Sequence, residues 1–139
     1  SSVLWERSSM GKNTIKVGID LDNCITADQN SKEFFRIICH LLHPEYEIHI
    51  ITNRDKSDRE ETIKELEELG IQYSHLELTS QKAKYILKKG INVYVDDTDE
   101  NLLEIPQSVT VFKIREEFNF SFAEKKWITS RRNSILIDE

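Results

Sequence analysis

Apolar positions along this chain come in two alternating kinds: short β-branched runs, and longer stretches in which they recur at helical spacing. Val17, Gly18 and Ile19 read as the end of a buried strand. Asn30 with Glu33 three positions on resembles a capping box, and Phe34, Phe35, Ile37, Ile38, Leu41 and Leu42 then predict a broadly apolar, well-buried helix ending at Pro44. Residues 46–52, YEIHIIT, predict a second strand. Ser57 to Glu60 form a second capping-box sequence, opening a helix with an Ile63, Leu66 and Leu69 stripe that Gly70 stops. A third strand is expected over 72–78. Thr79 or Ser80 should cap a short helix with Ala83, Ile86 and Leu87 inside and Gly90 at its end. A fourth strand over 91–95, a short helix over 100–103 and a fifth strand over 109–114 complete the alternation. The tail predicts a short helix over 122–128 and a last strand at 135–137. Strands alternating with helices on short loops mean βαβ units, hence a three-layer α/β sandwich of Rossmann type with a mainly parallel sheet and the first strand central.

A length of 139 residues fits one domain with a real core. We divide it into an N-terminal tail (1–13), an α/β core (14–114) and a C-terminal extension (115–139) packed on or near that core. No apolar run approaches the ~18 residues of a membrane span, and the N-terminal stretch lacks a signal-peptide core, so a soluble, cytoplasmic protein with no membrane partner is expected. A net charge of −6 argues against a general nucleic-acid binder held by phosphate contacts. Cys24 and Cys39 give neither a disulfide framework nor metal-type spacing. The four His residues are scattered, each read as a surface or strand residue.

Candidate chemistry gathers where strands end. Asp20 and Asp22 follow the first strand, Thr52 the second, Asp96 and Asp97 the fourth, and Lys82 opens the helix before that fourth strand. In a parallel sheet these ends share one edge, the crevice where open α/β sheets bind ligands. Asp also starts turns and caps helices, so the Asp20, Asp22 pair taken alone reads equally as a turn. Together, four carboxylates, a hydroxyl and a lysine in one crevice are electrostatically expensive unless a divalent cation sits among them. Carboxylate oxygens suit Mg²⁺. Mg²⁺, a carboxylate nucleophile, a hydroxyl and a lysine make a phosphoryl-transfer pocket.

At this point the sequence resembles the haloacid dehalogenase (HAD) superfamily of phosphohydrolases. DLDNCIT (20–26), ITNR (51–54), Lys82 in SQKAKYILKKG and VDDTDEN (95–101) look like its four motifs, in order. The resemblance implies a HAD-like core in which Asp20 is the nucleophile that becomes an aspartyl phosphate. It implies Asp22 as general acid and then base, Thr52 as hydrogen-bond donor to the phosphoryl group, and Lys82 as its neutralising cation. It implies Mg²⁺ held by Asp20, Asp97 and the Asp22 carbonyl, with Asp96 as an outer partner and Asn53 and Arg54 near the substrate. ITNRD, the following helix, VDD and the late Phe118-Asn119 are most similar to the 5'(3')-deoxyribonucleotidase-like branch. Asn23 stands where Gly is usual, and Cys24 where Thr or Val is usual.

The implied activity is Mg-dependent hydrolysis of a phosphate monoester, on a small molecule such as a nucleotide or on a macromolecule. Spacing leaves no room for a cap domain, so the site is open unless a homo-oligomer or the C-terminal tail covers it. The other reading is a catalytically inactive binding or regulatory module on the same fold. Receiver domains use similar groups in a different strand order. Arg54 either meets a substrate phosphate or pairs with an acidic neighbour such as Asp55. Asp28 reads as a loop residue, Asp99 as a helix cap, and Arg131 and Arg132 as exposed tail charge.

Overall fold

In the computed structural model, which describes residues 15–129, five strands form one parallel sheet in the order β3-β2-β1-β4-β5. They are β1 (Lys16–Asp20), β2 (Glu47–Thr52), β3 (His75–Leu78), β4 (Val93–Asp96) and β5 (Thr110–Lys113). β1 is central, pairing with β2 and β4. The helices are α1 (Gln29–Leu42), α2 (Arg59–Leu69), α3 (Lys82–Lys89) and α4 (Asp99–Leu102). One core cluster joins Phe35 and Cys39 of α1 and Leu66 of α2 to Ile19, Ile48, Ile50, Leu76 and Leu78 of the sheet. A second joins Ile86 of α3 to Ile51 and Tyr94, with Leu102 of α4 packed against it. Strand alternation sends neighbouring residues such as Ile50 and Ile51 to opposite faces, so helices flank the sheet on both sides. Gly18 faces the second cluster: a Cβ there would lie 3.0 Å from Ile51 and 3.1 Å from Tyr94, so a bare backbone lets both side chains close over the central strand.

Several sequence expectations need correction. α1 is not broadly buried: only Phe35 and Cys39 are fully covered, while Phe34, Ile37 and Leu41 are 55%, 45% and 68% exposed. Its apolar residues spread wider than the stripe one sheet face can cover. Asp28 caps it, accepting from Ser31 N at 2.7 Å, rather than Asn30. Ser57 does not cap α2: Asp55 accepts from Ser57 N and opens a 3₁₀ turn, Lys56–Asp58, that runs into the helix. Thr79 accepts from Gln81 N just before α3, a turn rather than a helix cap, and Leu87 is exposed. Gly70 and Gly90 do end α2 and α3 in the left-handed conformation. The strands expected over 72–78 and 91–95 are shorter at their starts, and the one over 109–114 is trimmed at both ends.

The helix expected over 122–128 is instead a hairpin of β6 (Phe120–Ser121) and β7 (Lys126–Trp127). Phe120 meets Phe122 and Trp127 edge-on, and Arg115 lies over the Phe120 and Phe122 rings. The 1–13 tail, the Arg131, Arg132 pair and the strand expected at 135–137 lie outside the described residues. No helix among the described residues is long and apolar enough to cross a membrane.

Candidate active site

β1 ends in Asp20 because the strand stops where its carboxylate begins to serve the following turn: Oδ1 accepts from Leu21 N at 2.9 Å. The chain then makes one wide turn, Leu21–Ile25, interrupted by Asp22 in an extended conformation and Asn23 at φ 59°, ψ 17°. That left-handed backbone suits Gly, and Asn is among the few side chains that tolerate it. Leu21, Cys24 and Ile25 plug the turn into the core. Asp22 and Asn23 therefore face outward at the sheet's carboxyl edge.

Lys82, on the first turn of α3, reaches the same edge. Its Nζ lies 2.7 Å from Asp20 Oδ1 and 3.4 Å from Asp96 Oδ2, with all three side chains at most 2% exposed. Asp96, at the end of β4, is saturated. Its Oδ1 accepts from the backbone N–H groups of Asp97 and Thr98, and its Oδ2 from Lys82, the Tyr94 hydroxyl and Asn101 Nδ2. Asp97 accepts from Thr98 Oγ1 at 3.2 Å. Carboxylate oxygens of Asp20, Asp96 and Asp97 lie within 4.8 Å of one another. The sequence-predicted residues Asp20, Lys82, Asp96 and Asp97 thus converge.

Electrostatics divide the carboxylates. Burial, offset only partly by Lys82, raises the Asp20 pKa. Burial and its acidic neighbours raise Asp97 as well. For Asp96 burial pushes upward, but Lys82 and the hydrogen-bond donors around it prevail, and it is held below the usual carboxylate value. Lys82 is opposed by burial and still raised, because Asp20 and Asp96 favour its charge. One lysine does not neutralise three carboxylates. Asp20 Oδ2, moreover, is buried and has no hydrogen-bond donor while Asp97 is ionised, an arrangement that is costly unless a proton on Asp97 or a cation completes it. An oxygen-rich cluster with an uncompleted oxygen fits a hard divalent cation of the Mg²⁺ class, with Asp20 and Asp97 as the available carboxylates.

Asp22 is placed differently. Arg54 grips it with Nε at 3.0 Å and Nη2 at 2.7 Å, and Thr52 Oγ1 lies 3.4 Å from it. Arg54 is itself anchored to Glu65 at 2.8 Å and Thr62 at 3.2 Å. Its partners are thus Asp22 and α2, not Asp55. Asn53 is exposed and lines an open crevice of about 450 Å³ with Ser80, Lys82, Lys84, Glu100 and Asn101. Asp28 borders a separate shallow depression with Asn23, Arg115 and Phe118. Asp99 is the first residue of α4 rather than its cap, a position Thr98 takes, and it pairs with Lys113 at 2.7 Å.

Asn119 was legible only as part of the Phe118-Asn119 resemblance, yet it is a joint of the site. Fully buried, it donates to the Asp97 carbonyl at 2.9 Å and the Ile114 carbonyl at 2.8 Å, and it accepts from Glu116 N. The C-terminal extension is thereby fastened to the acidic loop. Tyr94 and Asn101, both donors to Asp96, were also missed, because a hydroxyl or amide on a strand or helix carries no signal until its neighbours are known. Comparison of the chain with family models, curated proteins and solved structures finds no match.

Proposed function

We propose that this protein is a Mg²⁺-dependent phosphohydrolase that acts on a phosphate monoester through an aspartyl phosphate at Asp20, as the resemblance to the HAD superfamily implies. The observation that carries this reading is Asp20: a buried carboxylate at the carboxyl end of the central strand, one oxygen held by Lys82 and Leu21 N, the other with no donor while Asp97 is ionised. A purely structural Asp would be expected to satisfy both oxygens, as Asp96 does.

In the proposed reaction an Asp20 carboxylate oxygen attacks phosphorus, the P–O bond to the leaving alcohol breaks, and Asp22 delivers the proton that alcohol needs. Water then attacks the aspartyl phosphate, Asp22 takes its proton, and Asp20 is regenerated as inorganic phosphate leaves. Arg54 orients the Asp22 carboxylate from two nitrogens beside Thr52. Lys82 opposes the protonation of Asp20 that burial favours and offers positive charge to the transferring group. Mg²⁺, when bound, would neutralise charge on the phosphoryl oxygens. Asn53 and Lys84 border the open crevice in which the rest of a substrate would lie.

The test is hydrolysis of a panel of phosphate monoesters, nucleoside monophosphates and a phosphopeptide included, with and without Mg²⁺. Asp20→Asn should abolish turnover. Asp22→Asn should slow it by roughly 10²–10⁴-fold, the usual worth of a general acid or base, least with a good leaving group. Beryllofluoride, which mimics an aspartyl phosphate, should bind only with Mg²⁺ and Asp20 both present. Wild-type protein that neither hydrolyses activated esters nor takes up beryllofluoride would overturn the proposal in favour of a binding module.

A further inference from the structure

A second group of ligand-type side chains lies at the opposite, amino end of β2. His49 and His75 are register partners on the adjacent parallel strands β2 and β3. Both imidazoles leave the same sheet face, and their rings stack with centroids 4.5 Å apart at 25°. Glu47, two residues before His49, shares that face by strand alternation. Its Oε1 lies 2.9 Å from His49 Nε2 and 3.9 Å from His75 Nε2, and one donor atom from each residue falls within 4.8 Å of the other two. Tetrahedral zinc with bonds of 2.0–2.1 Å holds its donor atoms roughly 3.3 Å apart. The two measured separations bracket that value.

The surroundings also match. His49 is 1% exposed, and its other ring nitrogen, Nδ1, lies 2.7 Å from the Tyr85 hydroxyl of α3. Metal-bound imidazoles usually have such an outer hydrogen bond, which orients the ring and fixes its tautomer. Glu47 and His75 are about half exposed, so a fourth position faces solvent. Charge near the cluster is balanced by Lys16, the register partner of Glu47. Two imidazoles and one carboxylate suit a borderline divalent cation and serve Mg²⁺ poorly.

We propose that Glu47, His49 and His75 form a zinc-type divalent metal site with three protein ligands, bridging the edge strand β3 to β2. Neutral His49 now donates Nε2–H to the Glu47 carboxylate and accepts at Nδ1 from Tyr85. Binding at Nε2 moves that imidazole proton to Nδ1, and the Tyr85 hydroxyl turns from donor to acceptor, so proton count on the ring is unchanged. This site is independent of the phosphohydrolase reading.

The test uses the full chain, freed of metal by a chelator and titrated calorimetrically with Zn²⁺ in excess Mg²⁺, with Co²⁺ absorption as a second readout. One equivalent should bind. His75→Ala and Glu47→Gln, both at half-exposed positions, should each weaken binding by more than tenfold, and Tyr85→Phe by about 10–100-fold, as loss of an outer partner does. His40→Ala, at an exposed histidine bonded to Gln72, should leave it unchanged. If either half-exposed variant fails to fold, His75→Gln takes its place. No zinc uptake up to about 1 mM, or uptake unchanged in His75→Ala and Glu47→Gln, overturns the proposal.

Discussion

Replacing Lys82 by Met isolates the electrostatics of the acidic site, because Met keeps an unbranched stem of similar length and removes the charge. The Lys82 side chain is 1% exposed and lies 2.7 Å from Asp20 and 3.4 Å from Asp96, themselves buried. Removing one partner of a buried ion pair typically costs about 3–5 kcal/mol, since the stranded charge has no water to turn to. At roughly 3–5 °C per kcal/mol for a chain of this size, Tm should fall by about 10–20 °C at neutral pH without divalent metal. Packing loss and charge loss differ in pH dependence. Without Lys82 the folded-state pKa of Asp20 rises further above its unfolded value, and Asp96, now held low, rises too. The folded state then binds more protons than the unfolded one over the range between those values, and stability falls as pH rises through it. The Asp96 part of the deficit should therefore open from about pH 4 upward, and the Asp20 part only above about pH 7, because burial already raises the wild-type Asp20 carboxyl to about 7 and the variant's higher still. Lys82 itself titrates above this window and leaves the sign unaltered. Thermal melts of both proteins across this range give the answer. A deficit that is constant with pH, or below about 1 kcal/mol at neutral pH, would mean that Lys82 contributes packing and not charge.

Mg²⁺ should raise Tm, because binding to the native state at 100 times Kd stabilises by about 2.7 kcal/mol; EDTA should reverse the shift, and Asp97→Asn should remove it in a differential scanning assay. Asn119→Ala deprives two carbonyls and one N–H of their partner, so it should cost roughly 2–4 kcal/mol in denaturant melts and blunt the Mg²⁺ response through Asp97. Cys24 and Cys39 are buried, with burial raising both thiols, Cys39 to about 12. An aromatic disulfide reagent at pH 8 should label neither in the native protein and both in denaturant.

Strand order and the convergence at the sheet's carboxyl edge were legible because both follow from local pattern: β-branched runs, helical spacing between them, and acidic residues where runs stop. Asp20, Lys82, Asp96 and Asp97 could be placed together from topology alone. What pattern could not supply was partnership. The pairing of Arg54 with Asp22 and Glu65 is set by how α2 lies on the sheet, a tertiary fact. Periodicity overestimated α1 because apolar spacing says which residues share a face, not how much sheet lies opposite. It also misread residues 122–128: Phe120, Phe122 and Trp127 gather at the ends of a two-residue-strand hairpin too short to show alternation. His49 and His75 looked scattered because they lie 26 positions apart in sequence, with a helix between their strands, whereas a parallel register makes them neighbours.

The central place of β1 also orders the events of synthesis. Asp20 leaves the ribosome 62 residues ahead of Lys82, and Lys82 a further 14 ahead of Asp96. At about 5–20 residues per second, β1 waits roughly 3–12 s for its lysine and about 1–3 s more for the strand that seals it. Until then β2 is its only available strand neighbour, and water can reach Asp20 from the open flank. The ammonium is thus translated before the last carboxylates that need it, and the nascent chain need never enclose those acids without their counter-charge.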